Sequence, residues 1–162
     1  MTDYPPGDAG HEGAPWAEPG RRHWSQSSET RAVQAGARHF TARLFTASPA
    51  ELSSARHYTA ETLERWELSA TIDDARSVIS ELMAWAMSDT SPDSVWLGLA
   101  HHNALLCVLI PRFVDPSRAR RPAAASRYRR HIINALTREW GRTHAAEGTA
   151  LWARIPVAPQ QP

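Results

Sequence analysis

The stretch VWLGLAHHNALLCVLIP, residues 95–111, decides the fold. It predicts two strands, Val95–Ala100 and Ala104–Ile110, joined by His101, His102 and Asn103 as a tight turn. The second strand is almost continuously apolar, the pattern of a strand inside a covered sheet, and Pro111 ends it. Upstream lie two helices. The nearer opens at Thr71, whose hydroxyl is placed to cap it, with Asp73 and Asp74 in the first turn where the helix dipole favours negative charge. Its apolar stripe is Ala75, Val78, Ile79, Leu82 and Ala86, and it stops before Ser91-Pro92. A second face carries Ser77, Glu81, Trp85 and Ser88, so Glu81 and Trp85 are one turn apart and look the same way.

The farther helix begins at Ser48-Pro49-Ala50-Glu51, with three start signals: an N-cap serine, proline at the first helical position and glutamate three residues after the cap. Before it, Ala37 to Phe45 alternates, with Phe40, Ala42 and Leu44 on one face and His39, Thr41 and Arg43 on the other, as in a half-buried strand. Downstream of Pro111, residues 112–130 hold seven of the eighteen arginines and predict an irregular connection. A third helix follows over Tyr128–Trp140, with Gly141 as its stop. A last hairpin runs through residues 145–148 into the strand Thr149–Ile155. Strand, helix, helix, strand, strand, helix, strand, strand predicts an α+β two-layer sandwich: a mostly antiparallel sheet with helices on one face. Residues 1–30 carry four of the eight glycines, four of the twelve prolines and hardly any aliphatic side chains, which predicts a disordered tail. The folded domain is expected over 31–156 and a flexible tail over 157–162.

Composition closes several routes. All eighteen basic residues are arginine, so lysine chemistry and a P-loop are excluded. One cysteine excludes an internal disulfide and a multi-cysteine zinc site. The net charge of +1 argues against wholesale nucleic-acid coating. No apolar run approaches the roughly 18 residues of a membrane span, and the first residues are acidic and Pro/Gly-rich where a signal peptide is basic and then apolar. The expectation is a soluble cytoplasmic protein. Arginine without lysine, beside abundant alanine, reflects a GC-rich bacterial genome rather than a function.

Five segments in order, ARHF (37–40), SPAELSSARHYTAETLERWEL (48–68), SVISELMAWAM (77–87), INALTREWG (133–141) and TALWARIP (149–156), span most of the folded region. Together they resemble the anti-sigma-factor type of serine kinase-like ATPase domain, of the GHKL superfamily and Bergerat (histidine-kinase-like ATPase) fold, in its actinomycete form. The resemblance implies an ATP and magnesium site built on four motifs. In the family's N-box a glutamate acts as base and an asparagine one turn later holds magnesium; here Glu81 is kept and Trp85 stands at the metal-ligand position. Tryptophan has one N–H donor and no oxygen. The adenine-binding aspartate aligns near Arg112, which accepts no hydrogen bond, with Asp115 as a displaced substitute. The G-x-G that lets backbone amides approach phosphates aligns with Arg127-Tyr128-Arg129. The family's G-G-K-T turn appears as Glu147-Gly148-Thr149-Ala150, with one glycine kept and the lysine lost.

Each motif is altered at its chemically indispensable atom, so the resemblance implies a degenerate domain, a pseudokinase with weak or no ATP binding. Its implied partners are a sigma factor or an anti-anti-sigma-like protein, and a homodimer. Arg118, Arg120, Arg121 and Arg130 are expected to form the partner surface. The alternative is an active serine/threonine kinase that binds ATP and magnesium, with Glu81 as base and Arg127 and Arg129 replacing the backbone amides on the phosphates. Tyr128 among arginines has the chemistry that single-stranded nucleic acid likes, but a basic loop without a nucleic-acid fold argues against that partner. His101 and His102, adjacent in a turn, are expected to point apart and form no metal site, and Cys107 reads as a buried small hydrophobe.

Overall fold

The computed structural model describes residues 36–115, 127–145 and 148–158. Its elements are β1 (His39–Thr46), α1 (Pro49–Arg65), a single 3-10 turn (Ser69–Thr71), α2 (Ile72–Thr90), β2 (Ser94–His101), β3 (Leu105–Arg112), α3 (Arg127–Leu136), β4 (Glu139–Ala145) and β5 (Gly148–Ile155). The five strands form one sheet in the order β1-β2-β3-β5-β4, and every neighbouring pair is antiparallel. The helices pack together on one face, making the α+β two-layer sandwich that the element order predicts.

Local chemistry explains most element ends. Ser48 is extended and Pro49 opens α1, but the serine side chain makes no capping bond; instead the Glu51 N–H donates to the Ser48 carbonyl at 3.1 Å. At the other end Glu67 takes a left-handed φ of 59°. The Leu68 N–H then reaches back to the Leu63 carbonyl (2.8 Å) and the Glu67 N–H to the Glu64 carbonyl (3.0 Å). These two bonds make a Schellman stop, with Leu63 and Leu68 both buried in the main core.

The expected Thr71 cap is corrected: Thr71 is buried at the end of the 3-10 turn, its hydroxyl makes no capping bond, and α2 grows directly out of that turn. Strand β3 also runs through Pro111 to Arg112 rather than stopping at Ile110. Pairing with β5 extends from Leu105 to Leu109, so Pro111, which has no N–H to give, lies beyond that ladder and faces β2 alone. His101 belongs to β2 instead of the turn. The third helix ends four residues earlier than its periodicity predicts. Both the N–H and the hydroxyl of Thr137 bond the Ile133 carbonyl (3.0 and 2.7 Å), and the Arg138 N–H crosses to the Arg154 carbonyl of β5 at 2.8 Å. Trp140 and Gly141 consequently sit in β4.

The main core lies between sheet and helices. Val78, Ile79, Leu82 and Met83 of α2 meet Leu97 and Leu99 of β2, Cys107 and Leu109 of β3 and Leu151 of β5, all fully or almost fully buried. Strand β1 turns its more polar side to this layer: Thr41 shares a 2.6 Å hydrogen bond with the Tyr58 hydroxyl, and the Arg43 guanidinium lies 5.0 Å from the Phe45 ring centre. Its apolar side, Phe40 and Ala42, faces away from the helices and joins a second apolar cluster. The first 35 residues, the 116–126 connection and the end of the chain from 159, on which the expected tails fall, lie outside the described residues.

Candidate functional site

An open groove of about 480 Å³ runs where three helices converge. Helix α2 lines it with Ser77, Ser80 and Glu81, α3 with His131, Ile132, Ala135 and Leu136, and α1 with Arg56. On α2 these positions are spaced three and four apart, which stacks them on one strip of the helix. The Ser80 hydroxyl donates to the Arg76 carbonyl at 2.7 Å, so its proton is committed and the oxygen keeps acceptor capacity. The groove thus combines one carboxylate, one guanidinium, one imidazole and two hydroxyls with the apolar Ile132 and Leu136.

Trp85, one turn beyond Glu81, is not among the groove-lining residues. Its ring is buried and meets the Trp140 indole edge to face, with centroids 5.8 Å apart and planes at 75°. Trp140 Nε1 in turn donates to the Asn134 Oδ1 of α3 at 2.6 Å. Trp140 of β4 thus ties α2, through Trp85, to α3, through Asn134. An indole packed this way presents no oxygen to a cation, so Glu81 and Trp85 do not fit a magnesium triphosphate held in the N-box manner.

Among the described residues, none of the other predicted site residues lines the groove. Arg112 ends β3, and its carbonyl accepts the Asp93 N–H at 2.9 Å. Asp115 is exposed just beyond, where the Val114 N–H donates to Asp93 Oδ2 at 2.7 Å and ties the end of β3 to the start of β2. Gly148 and Thr149 open β5 opposite Ala145 and His144. Arg127, Arg129 and Arg130 lie in α3, but their side chains fall outside the described part of the structure, as do Arg118, Arg120 and Arg121 altogether. Arg56, Ser80 and His131 line the groove without having been singled out in the sequence. They come from three helices that only tertiary packing brings together.

Away from the groove, His101 pairs with His39 across β1 and β2, and the two rings stack at 5.8 Å with planes 13° apart. The His39 ring stacks in turn on Trp66 at 5.3 Å. Burial, then the neighbouring His39, Arg38 and His102, lower the His101 pKa from its ordinary value. Among the described residues no three His, Cys, Asp or Glu side chains gather as a metal-binding group. Cys107 is buried, and burial pushes its thiol up to about 12. No described helix is long and apolar enough to cross a membrane. Set against protein-family models and against curated proteins, the chain matches none.

Proposed function

We propose that this chain is a cytoplasmic regulatory protein whose anti-sigma-kinase-like domain keeps the scaffold without the nucleotide chemistry, and that it acts through protein contacts in transcriptional or stress signalling. The observation that supports this reading most directly is the placement of Trp85. The position that would hold the metal carries an indole locked into the core against Trp140, while Glu81 alone of the N-box pair reaches the groove. The groove suits a polypeptide: the side chains of Glu81, Arg56 and His131 lie beside the apolar Ile132 and Leu136, a mixed polar and apolar lining. A sigma factor or an anti-anti-sigma-like protein is the class of partner that this reading names, with Arg118, Arg120, Arg121 and Arg130 as the basic surface for an acidic patch on it. A homodimer is compatible with the same surface.

Calorimetric titration with ATP and magnesium at millimolar nucleotide tests the reading, and no binding heat is expected. Magnesium-dependent binding, together with serine phosphorylation of a partner that is lost in Glu81→Gln, would establish the active kinase instead.

A further inference from the structure

The sheet is apolar on both sides. On the face turned away from the helices, Trp96, Leu106, Val108, Ile110 and Trp152 form one cluster, with Phe40 packed against it. Strand pairing sets Ala42, Gly98, Val108 and Trp152 side by side across the middle of this face. Gly98 is the seat of the Trp96 ring: a Cβ there would lie 2.6 Å from its Cη2 and 2.7 Å from its Cζ3. The indole therefore lies flat along the sheet. A flat indole on an open sheet turns one π face to water, yet Trp96 is 3% exposed, Trp152 1% and Val108 0%. No helix residue belongs to this cluster; every described member is on a strand, apart from Ala37 just before β1. Burial of this depth needs a third layer.

We propose that the 35 residues preceding Gly36 are that layer, and that they dock in cis on the outer sheet face through Trp16 and Trp24. Composition singles this segment out from the other parts of the chain beyond the described residues. Residues 116–126 contain arginine, alanine, proline and serine only, residues 146–147 are Ala-Glu and residues 159–162 are Pro-Gln-Gln-Pro, so none of them brings a large apolar side chain. The first 35 residues bring two of the seven tryptophans, Tyr4 and Val33. Connectivity agrees: the segment joins the sheet at Ala37 and Phe40, which already pack on the outer cluster. Its length is ample, because five strands span roughly 19 Å, and 35 residues reach about 50 Å even if helical. Too few aliphatic residues to build a core of its own is no obstacle when the apolar surface is already formed by the sheet, since a segment can order on a surface that it cannot create.

The test places a nitroxide on the full-length chain at Ala17→Cys and reads the indole N–H signals by NMR. Cys107 is buried and stays unlabelled. The expected result is loss of most of the Trp96 and Trp152 signal, while Trp85 and Trp140, on the helix side, keep theirs. In a mixture of isotope-labelled chains without nitroxide and unlabelled chains carrying it, the signals stay intact. Equal attenuation on both sides of the sheet, or none, would overturn the proposal. Attenuation in the mixed sample would also overturn it, by making a second copy the occupant. In the Trp16→Ser, Trp24→Ser variant carrying the same label, the attenuation at Trp152 is expected to vanish; its persistence would remove the two indoles as the anchors.

Discussion

Trp85 and Trp140 meet edge to face at 5.8 Å, and this contact joins the helix that carries Glu81 to the outermost strand of the sheet. Trp85→Asn, the change that restores the N-box residue of the resemblance, is therefore expected to cost stability without restoring ATP binding. Truncating a buried tryptophan costs about 3–5 kcal/mol, and an amide in its place has to find hydrogen-bond partners. Urea denaturation and calorimetry with ATP and magnesium check both halves; tight nucleotide binding by this single variant would show that the other altered motifs do not matter.

Gly98→Ala is expected to destabilise by about 1–3 kcal/mol, because a methyl group would enter the space of the buried Trp96 ring. In the double variant with Trp96→Leu most of that loss should disappear. Urea midpoints of the four proteins form a double-mutant cycle, and strict additivity would refute the steric account.

Cys107 is expected to resist thiol reagents in the folded protein. Its thiol is pushed up to about 12 by burial, and the reactive species is the thiolate. One equivalent of thiol per chain should react with Ellman's reagent in guanidinium and essentially none in buffer; rapid labelling of the native chain would contradict the buried position.

The His101 shift predicts a definite pH dependence. Its folded pKa is lowered, so above the ordinary value of about 6.5 the ring is neutral in both states and contributes nothing to the pH slope. As pH falls below that value the unfolded chain takes up the proton first, and stability drops until the folded ring also titrates. Urea midpoints at pH 7.5 and 5.5 should fall more for the native chain than for His101→Phe. Parallel losses in the two proteins would exclude His101 as the source.

The central hairpin was legible because His102 and Asn103 separate two apolar runs, although β3 continues through Pro111, and the first helix because Ser48, Pro49 and Glu51 agree. The start of β4 was not. Ile132, Ile133, Leu136 and Trp140 keep a helical spacing, and what ends the helix is Arg138, whose N–H leaves the helical ladder for the carbonyl of Arg154, a partner sixteen residues away. The site was half legible. Glu81 reaches the groove as its strip of the helix implies, but four residues at 3.6 per turn add a rotation of about 40°, enough to swing Trp85 from the groove edge into the core. No local pattern could join Arg56 to His131, because their meeting depends on how three helices pack.

The outer apolar face has a consequence for how the chain finds its fold. Strand register is ordinarily policed by polarity, because a slip of one residue exposes what should be buried. In β2 that safeguard is missing, since Leu97 and Leu99 on one side and Trp96 and Ala100 on the other are all buried. Size takes its place. A slip of β2 by one residue against β3 would turn the Trp96 indole, together with its seat over Gly98, into the closely packed layer beneath α2, where Leu97 and Leu99 now fit. One large and one absent side chain, two positions apart, thus choose between pairings that hydrophobicity alone would leave degenerate.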